Sequence, residues 1–583
     1  MGNNRFSSVP NISIPRSRFH QPFNHSTSFL HGQLIPIDCF EVLPGDTYNL
    51  NLNSIIWMSN PIVPIFGNIK AYVYAFFVPM RLIWKHTEEF YGQNDTTSGY
   101  QTTNYQIPYV FVNGSSGNKV DVSTVSHYLG KPLFDSGANT ANGSVYQKLA
   151  CSVLKERGYY LIWNNYFRSQ QLQSPFIINN DGNGYLASNP IGTIGGSSVY
   201  LNGEVLQVCK EFDYFTACTL SPQYGAAVTL PLGTFAPVIT SPLTALSDVD
   251  PSTYDYAKKS GNALKWLLNK SNPALILGGD YSNDGEAIPI GIGDYATRSM
   301  DYSASDLANE YGLVPANLYA DLSNATAATI NTLRYAFAVQ KYLERSNFGS
   351  RFFEMLSVHY GVSSPDATLQ IPQRLGGCEI PISISTVLST ADAATSSSSK
   401  LGQPGAVSCS AHKKTNLFTK SFIEPGYLYV MICTKHERAY TQGLLREDTK
   451  LNRYEFYSPE FANLGDQAVL NKEIYAGATN PDDVFGYQEH WAEYRYRPHR
   501  VSGILDPFAS GSLDFWNLAD EYDYSAQPAL DYSWIVENRD FLTRALVTGE
   551  DGPDYIADFY FDYTATREMP LFTIPGLIDH FGA

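Results

Sequence analysis

The side chains best suited to chemistry lie in "DDVFGYQEHWAEYRYRPHR", residues 482–500, the densest polar-aromatic cluster of the chain. Glu489 and Glu493 have the spacing of two carboxylates on one helix face, with His490 beside them. Such a pair can cleave a glycosidic bond, but that chemistry needs the two groups across a sugar-sized gap with separated pKa values. Closeness in sequence does not provide the gap, and Arg495, Arg497 and Arg500 alongside point to structural ion pairing. "DYSNDGE" (280–286) opens like a calcium loop, with Asp280, Ser282, Asp284 and Gly285. Its twelfth position is Gly291, which brings no bidentate carboxylate. "GIGDYA" (291–296) matches a loose dinucleotide fingerprint but lacks a strand–helix frame. Walker A, HExxH and GxSxG patterns are absent. The seven cysteines (39, 151, 209, 218, 378, 409 and 433) are scattered, with no CxxC pair, and read as reduced, mostly buried thiols. The expectation is a non-enzymatic chain with no catalytic residue, no metal and no cofactor.

Charge singles out the other candidate. The chain carries 39 Lys+Arg against 56 Asp+Glu, a net of −17. Such a balance argues against a surface that grips nucleic acid everywhere. Yet no acidic residue precedes Asp38, while Arg5, Arg16 and Arg18 are cationic and His20, His25 and His31 can become so. The arm's +3 leaves −20 on the remainder. Pro10, Pro15 and Pro22 oppose a helix, so residues 1–31 read as an extended basic arm, the best candidate for a local nucleic-acid contact. The opening has no apolar secretory segment, and "AYVYAFFVPM" is too short to span a bilayer, so no membrane insertion is expected.

The elements that must carry these residues read as β. "QLIPIDCFEVL" and "TYNLNLNSIIW" read as alternating strands on either side of a "PGD" turn at 44–46, a spacing typical of an antiparallel sandwich or barrel. In "NIKAYVYAFFVP", Ile69, Ala71, Val73 and Ala75 take one face and Tyr72, Tyr74 and Phe76 the other, which predicts a strand covered on both sides. Further strands are predicted in 421–434 and 494–505. A helix is predicted in "NATAATINTLRYAFAVQKYLERSNFG", with Ile330, Leu333, Phe337 and Val339 or Gln340 on one face, Asn324 as cap and Gly349 as stop. Helix is otherwise scarce, no fixed-period repeat is visible, and polar Gly- and Ser-rich stretches at 92–120, 177–203, 272–310 and 388–412 read as long insertions. The 41 Tyr and the charged share of only 16% fit large half-wet interfaces.

Several blocks are also familiar. "IPRSRFHQPFNHSTSFLHGQLIPIDCFEVLPGDTY" (14–48), "FFVPMRLIWKHTEEFYGQN" (76–94), "VCKEFDYFTACTLSPQYG" (208–225), residues 330–377, residues 439–475 and "VFGYQEHWAEYRYRP" (484–498) resemble the major capsid proteins of the Microviridae, of the gokushovirus type. The resemblance runs from end to end in the family's order. It implies an all-β, eight-stranded antiparallel viral jelly roll with long inter-strand insertions and a few helices, 32–583 forming a single capsid domain. It further implies sixty copies in a T=1 icosahedral shell around circular single-stranded DNA, together with other virion proteins, assembled in the bacterial host cytoplasm. One insertion, expected within 230–310, would protrude at the threefold axes and meet a host-surface receptor through Asp280, Asn283, Asp284, Asp294 and Tyr295. Arg5, Arg16, Arg18, His20 and His25 would then face the DNA or strap a neighbouring subunit. A host-receptor-binding spike and a carbohydrate-active β-sandwich enzyme are the alternatives, and assembly size separates the three.

Overall fold

A computed structural model describes residues 16–94, 104–112, 119–133, 149–186, 190–228, 330–347, 351–390, 404–522, 528–547 and 552–572, with a few isolated residues and short strand pieces between them. Two antiparallel sheets dominate. The two strands predicted about the 44–46 turn are β2 (Ile35–Val42) and β3 (Thr47–Met58), preceded by β1 (Ser17–Phe29) and followed by β4 (Ile69–Pro79). Later come β5 (Gln373–Pro381), β6 (Ser383–Leu388), β7 (Pro404–Ser421), β8 (Gly426–His436), the short pair β9 (Gln467–Leu470) and β10 (Val484–Gln488), and β11 (Tyr555–Arg567). One sheet has the order β1-β11-β3-β7-β6 and the other β5-β4-β8-β2.

Alternation fixes which face each strand buries. In β3, Tyr48, Leu50, Leu52 and Ile56 point inward while Trp57 stands out; in β11, Tyr555, Ala557, Phe559, Phe561, Tyr563 and Ala565 point inward. These residues share one buried cluster with Val73, Ala75 and Phe77 of β4 and Val430 and Ile432 of β8. Contacts cross from sheet to sheet: the Phe40 ring of β2 lies 5.1 Å from Tyr48 and 5.0 Å from Tyr563, and the Tyr563 hydroxyl donates to Asp38 at 2.7 Å.

Two strand–turn–strand units interlock. The link from β2 to β3 turns at Pro44–Gly45–Asp46, where Gly45 has φ +90° and a Cβ would meet Glu568 at 2.8 Å. β7 and β8 are joined through residues 422–425. Each unit sends its two strands to different sheets, so β2 lies beside β8 and β3 beside β7. The two turns are tied by Gly45 N–H to Phe422 O and Phe422 N–H to Asp46 O, both 2.8 Å.

The double coverage expected of β4 is present. Its outer face meets helix α1 (Leu154–Ile162) and the wide turn Trp163–Phe167, with Phe76 4.9 Å from the Tyr166 ring and Tyr74 5.4 Å from Phe167. The predicted helix is α2 (Ile330–Ser346), but Ile330 and Phe337 are exposed in the lone chain, and Asn324 lies outside the described residues. It is followed by α3 (Phe352–Tyr360). The strand predicted at 494–505 is not formed: those residues make short 3-10 turns at Ala492–Tyr494 and Gly503–Leu505, because Pro498 removes a ladder donor within a run of exposed polar residues.

By internal contacts the chain divides into two compact units, residues 1–225 with 343–583, and residues 226–342. The second contains the expected insertion; its candidate residues Asp280, Asn283, Asp284, Asp294 and Tyr295 lie outside the described residues, as do the calcium-like and glycine-rich segments. Among the described residues no helix is long and apolar enough to cross a membrane.

Candidate functional site

The basic arm joins the sheet. Residues 17–29 pair along their whole length with β11, Ser17 opposite Arg567 and Phe29 opposite Tyr555. Ordinary strand pairing is reinforced by polar side chains that meet along and just beyond the two strands. Arg16 binds Glu568 at 2.7 Å, His20 Nε2 lies 2.6 Å from Asp562, and Ser26 donates to Asp558 at 2.7 Å. His25 Nδ1 is 2.5 Å from the Ile37 carbonyl. Arg18 stands exposed opposite Thr566, and Arg5 lies outside the described residues. Arg16 and His20 are therefore already engaged by acids of the same chain.

The carboxylates at 489 and 493 are engaged as well. Glu493 accepts from Lys450 and Gln467, both at 2.8 Å, and Glu489 pairs with Arg495 at 2.8 Å. Lys450 holds the Glu493 carboxyl below its usual range, although burial alone would raise it. Trp491, at φ +66°, breaks the helix that would have aligned the two acids. The pair is structural in geometry.

A third cluster carries no sequence signal. His31, which ends the arm, meets His436 and Glu537 in full burial. Glu537 Oε1 lies 2.9 Å from His31 Nε2 and 2.7 Å from His436 Nδ1, while Oε2 faces Arg438 at 3.1 Å. Arg438 also forks onto Asp520 at 2.7 and 2.8 Å, and Lys210 lies over the Trp534 ring. Burial outweighs the Glu537 charge at His436 and pushes it down to about 4. Burial and Arg438 push Lys210 down to about 8. Two histidines and a carboxylate are a metal-ligand set in type, but here they are spent on one another. Glu537 and Asp520 are balanced by Arg438 and Lys210, so a divalent ion would bring two uncompensated charges into a closed site. The cluster is a lock that ties β1, β8 and the segments around 520, 537 and 554 together; His31 N–H also donates to Asp554 at 2.8 Å. Residues 31, 436 and 537 have no diagnostic spacing, so only the fold reveals them.

All seven cysteines are free, and burial raises their thiols, Cys409 to about 11. The surface is less ordinary. Large apolar side chains stand out at Trp57, Phe66, Phe212, Tyr360, Ile423 and Leu451, the last two 91% and 87% exposed.

A β scaffold with engaged carboxylates and a bare apolar surface has the character of a building block. The chain belongs to the family of phage capsid proteins described as capsid protein (F protein), whose profile matches residues 7–577. It is similar to capsid protein VP1 of Bdellovibrio phage phiMH2K, 33% identical over 99% of this chain and 98% of that one. Capsid protein VP1 of Chlamydia phage 1 is 33% identical over 98% of both chains, and that of Spiroplasma virus 4 is 31% identical over 98% of this chain and 97% of its own.

Proposed function

We propose that this major capsid protein builds a T=1 shell of sixty copies around circular single-stranded DNA, as a component of the virion. The observation that carries the reading is the apolar surface of the lone chain. Ile423 and Leu451 are almost wholly bare in the lone chain, and neighbouring copies in a shell would cover them. Closed point symmetry then multiplies modest contacts into a stable particle.

The fold fits the same reading. Setting β1 aside, the two sheets hold four strands each, β5-β4-β8-β2 and β11-β3-β7-β6. The two interlocked strand–turn–strand units are what rolling a long strand pair across two sheets produces, which supports an eight-stranded jelly roll with β1 as an added edge. The insertion within 230–310 is proposed as the protruding contact with the host receptor, and Arg5 and Arg18 as DNA contacts.

Replacing Ile423 and Leu451 together by Asp tests the surface argument. The variant should keep the far-UV circular dichroism of the protomer yet form no particles. Particles in wild-type yield would remove the argument. Replacing Arg5 and Arg18 by Gln tests the arm: particles that assemble but package less DNA support a DNA contact, and loss of assembly supports strapping of neighbouring subunits.

A further inference from the structure

A cavity of about 420 Å³ opens between the turn that follows α1 and the start of α3. Its wall includes Asn165, Arg168, Gln170, Arg351 and Phe352. Two guanidinium groups line this space. Arg351 pairs with Glu354 at 2.8 Å, whereas Arg168, 8% exposed, has no acidic partner within ion-pair distance among the described residues. Arg168 spends its Nη atoms on the Gln173 carbonyl at 2.5 Å and on the Gln170 amide, and Arg351 donates to the Arg168 carbonyl at 2.9 Å. The Nε atoms of both are buried without a hydrogen-bond partner. Burial and the neighbouring Arg351 hold the Arg168 guanidinium below its usual range. Glu354 already answers Arg351, so Arg168 is the uncompensated cation of the pocket, and a buried guanidinium without an acid favours a bound anion.

A further observation shapes that anion. The nine-residue helix α3 begins at the cavity, but its N-terminus is already capped by Glu354, which accepts from Arg351 N–H at 3.0 Å, so the helix end adds little to the field. Phe352, in that first turn, is 65% exposed and presents a bare aromatic face beside the cations. Cations with an adjacent exposed ring form the combination that holds a phosphate and stacks its base, without regard to sequence. The chain's net charge of −17 makes a positive cavity stand out against its background.

We propose that this cavity is a single-stranded nucleic-acid site, with one backbone phosphate held by Arg168 and Arg351 and the attached base stacked on Phe352. The inference deepens the reading of the chain as the shell of a single-stranded DNA phage and rests on it. One pocket per subunit would repeat the contact over the shell, so weak individual binding suffices.

The test is fluorescence anisotropy of a labelled ten-residue thymidine oligodeoxynucleotide on the full-length protein, with particle mass measured on the same preparations. Phe352→Ala, at an exposed position, should weaken binding about 5- to 150-fold. Phe212→Ala, an equally exposed ring elsewhere, should leave it unchanged. Arg168→Gln should flatten the log–log salt dependence by about 0.7. Unlabelled oligonucleotide should compete far better than thymidine monophosphate or inorganic phosphate. The inference is overturned if Phe352→Ala binds like wild type, if Phe212→Ala loses as much, or if phosphate competes equally, which would make the cavity a free-anion site. Particles of full mass alongside any of these results would leave the shell reading standing. Absence of particles, with Phe352-dependent oligonucleotide binding intact, would remove the shell reading instead.

Discussion

His436 should set the acid sensitivity of the protomer. Its imidazole is fully buried, stacked on Phe541 at 3.6 Å between ring centroids, with Nδ1 on Glu537. Burial lowers its pKa from an ordinary 6.5 to about 4, even with Glu537 pulling the other way and with His31 and Arg438 close by. Below pH 6.5 the unfolded chain takes up a proton that the folded chain refuses, so stability is intact above 6.5 and falls as the pH drops towards 4. That difference is worth about 3 kcal/mol in full, and about 2–3 kcal/mol by pH 4.5. His436→Gln keeps a donor for Glu537 and removes the titration. Urea unfolding of the unassembled protomer, followed by tryptophan fluorescence from pH 7 to pH 4.5, reads the effect. The variant should be less stable at pH 7, because it loses the stack on Phe541, and the gap to wild type should narrow by about 2–3 kcal/mol as the pH falls. Parallel curves for the two proteins across that range would refute the reasoning.

Other perturbations read the scaffold. Desolvation raises the half-buried Asp38 to about 6 although Tyr563 donates to it, so the folded state pays to ionise it above that pH. Asp38→Asn should stabilise the protomer by about 1–2 kcal/mol at pH 7, a gain that vanishes as the pH falls through 6 towards 3.8, measured by urea unfolding. Gly158→Ala raises the helix propensity of α1 but puts a Cβ 2.0 Å from the Tyr429 hydroxyl, which donates to Lys155 O at 2.8 Å. The thermal midpoint should therefore fall. Phe561→Ala, at the centre of β11, should cost about 3–5 kcal/mol in the same unfolding assay.

What the sequence made legible was local. Strands β2 and β3, the Pro44–Asp46 turn between them, β4 and β8 all follow from patterns within a dozen residues. The same alternation is present in "YIADFYFDYTATR" (555–567), yet its partner is β1 at the other end of the chain, and no local pattern encodes that pairing. His20 and Asp562 meet across 542 positions. The resemblance identified the family, but residues 17–29 looked like a plain basic arm because the acids that match them are remote. The His31–His436–Glu537 lock was hidden for the same reason. At 494–505, apolar and aromatic residues suggested a strand that the observed chain spends on turns. The cavity between α1 and α3 needed the fold, since Arg168 and Arg351 come together only in three dimensions.

The account's central claim is that the bare apolar surface of this chain is covered by further copies of itself. The mass of the particle formed by the purified protein, with the other virion proteins supplied as needed, tests it most directly. Sixty copies of a 64.7 kDa chain predict a closed particle of about 3.9 MDa. A stable 64.7 kDa monomer, or a trimer or pentamer that grows no further, would contradict it.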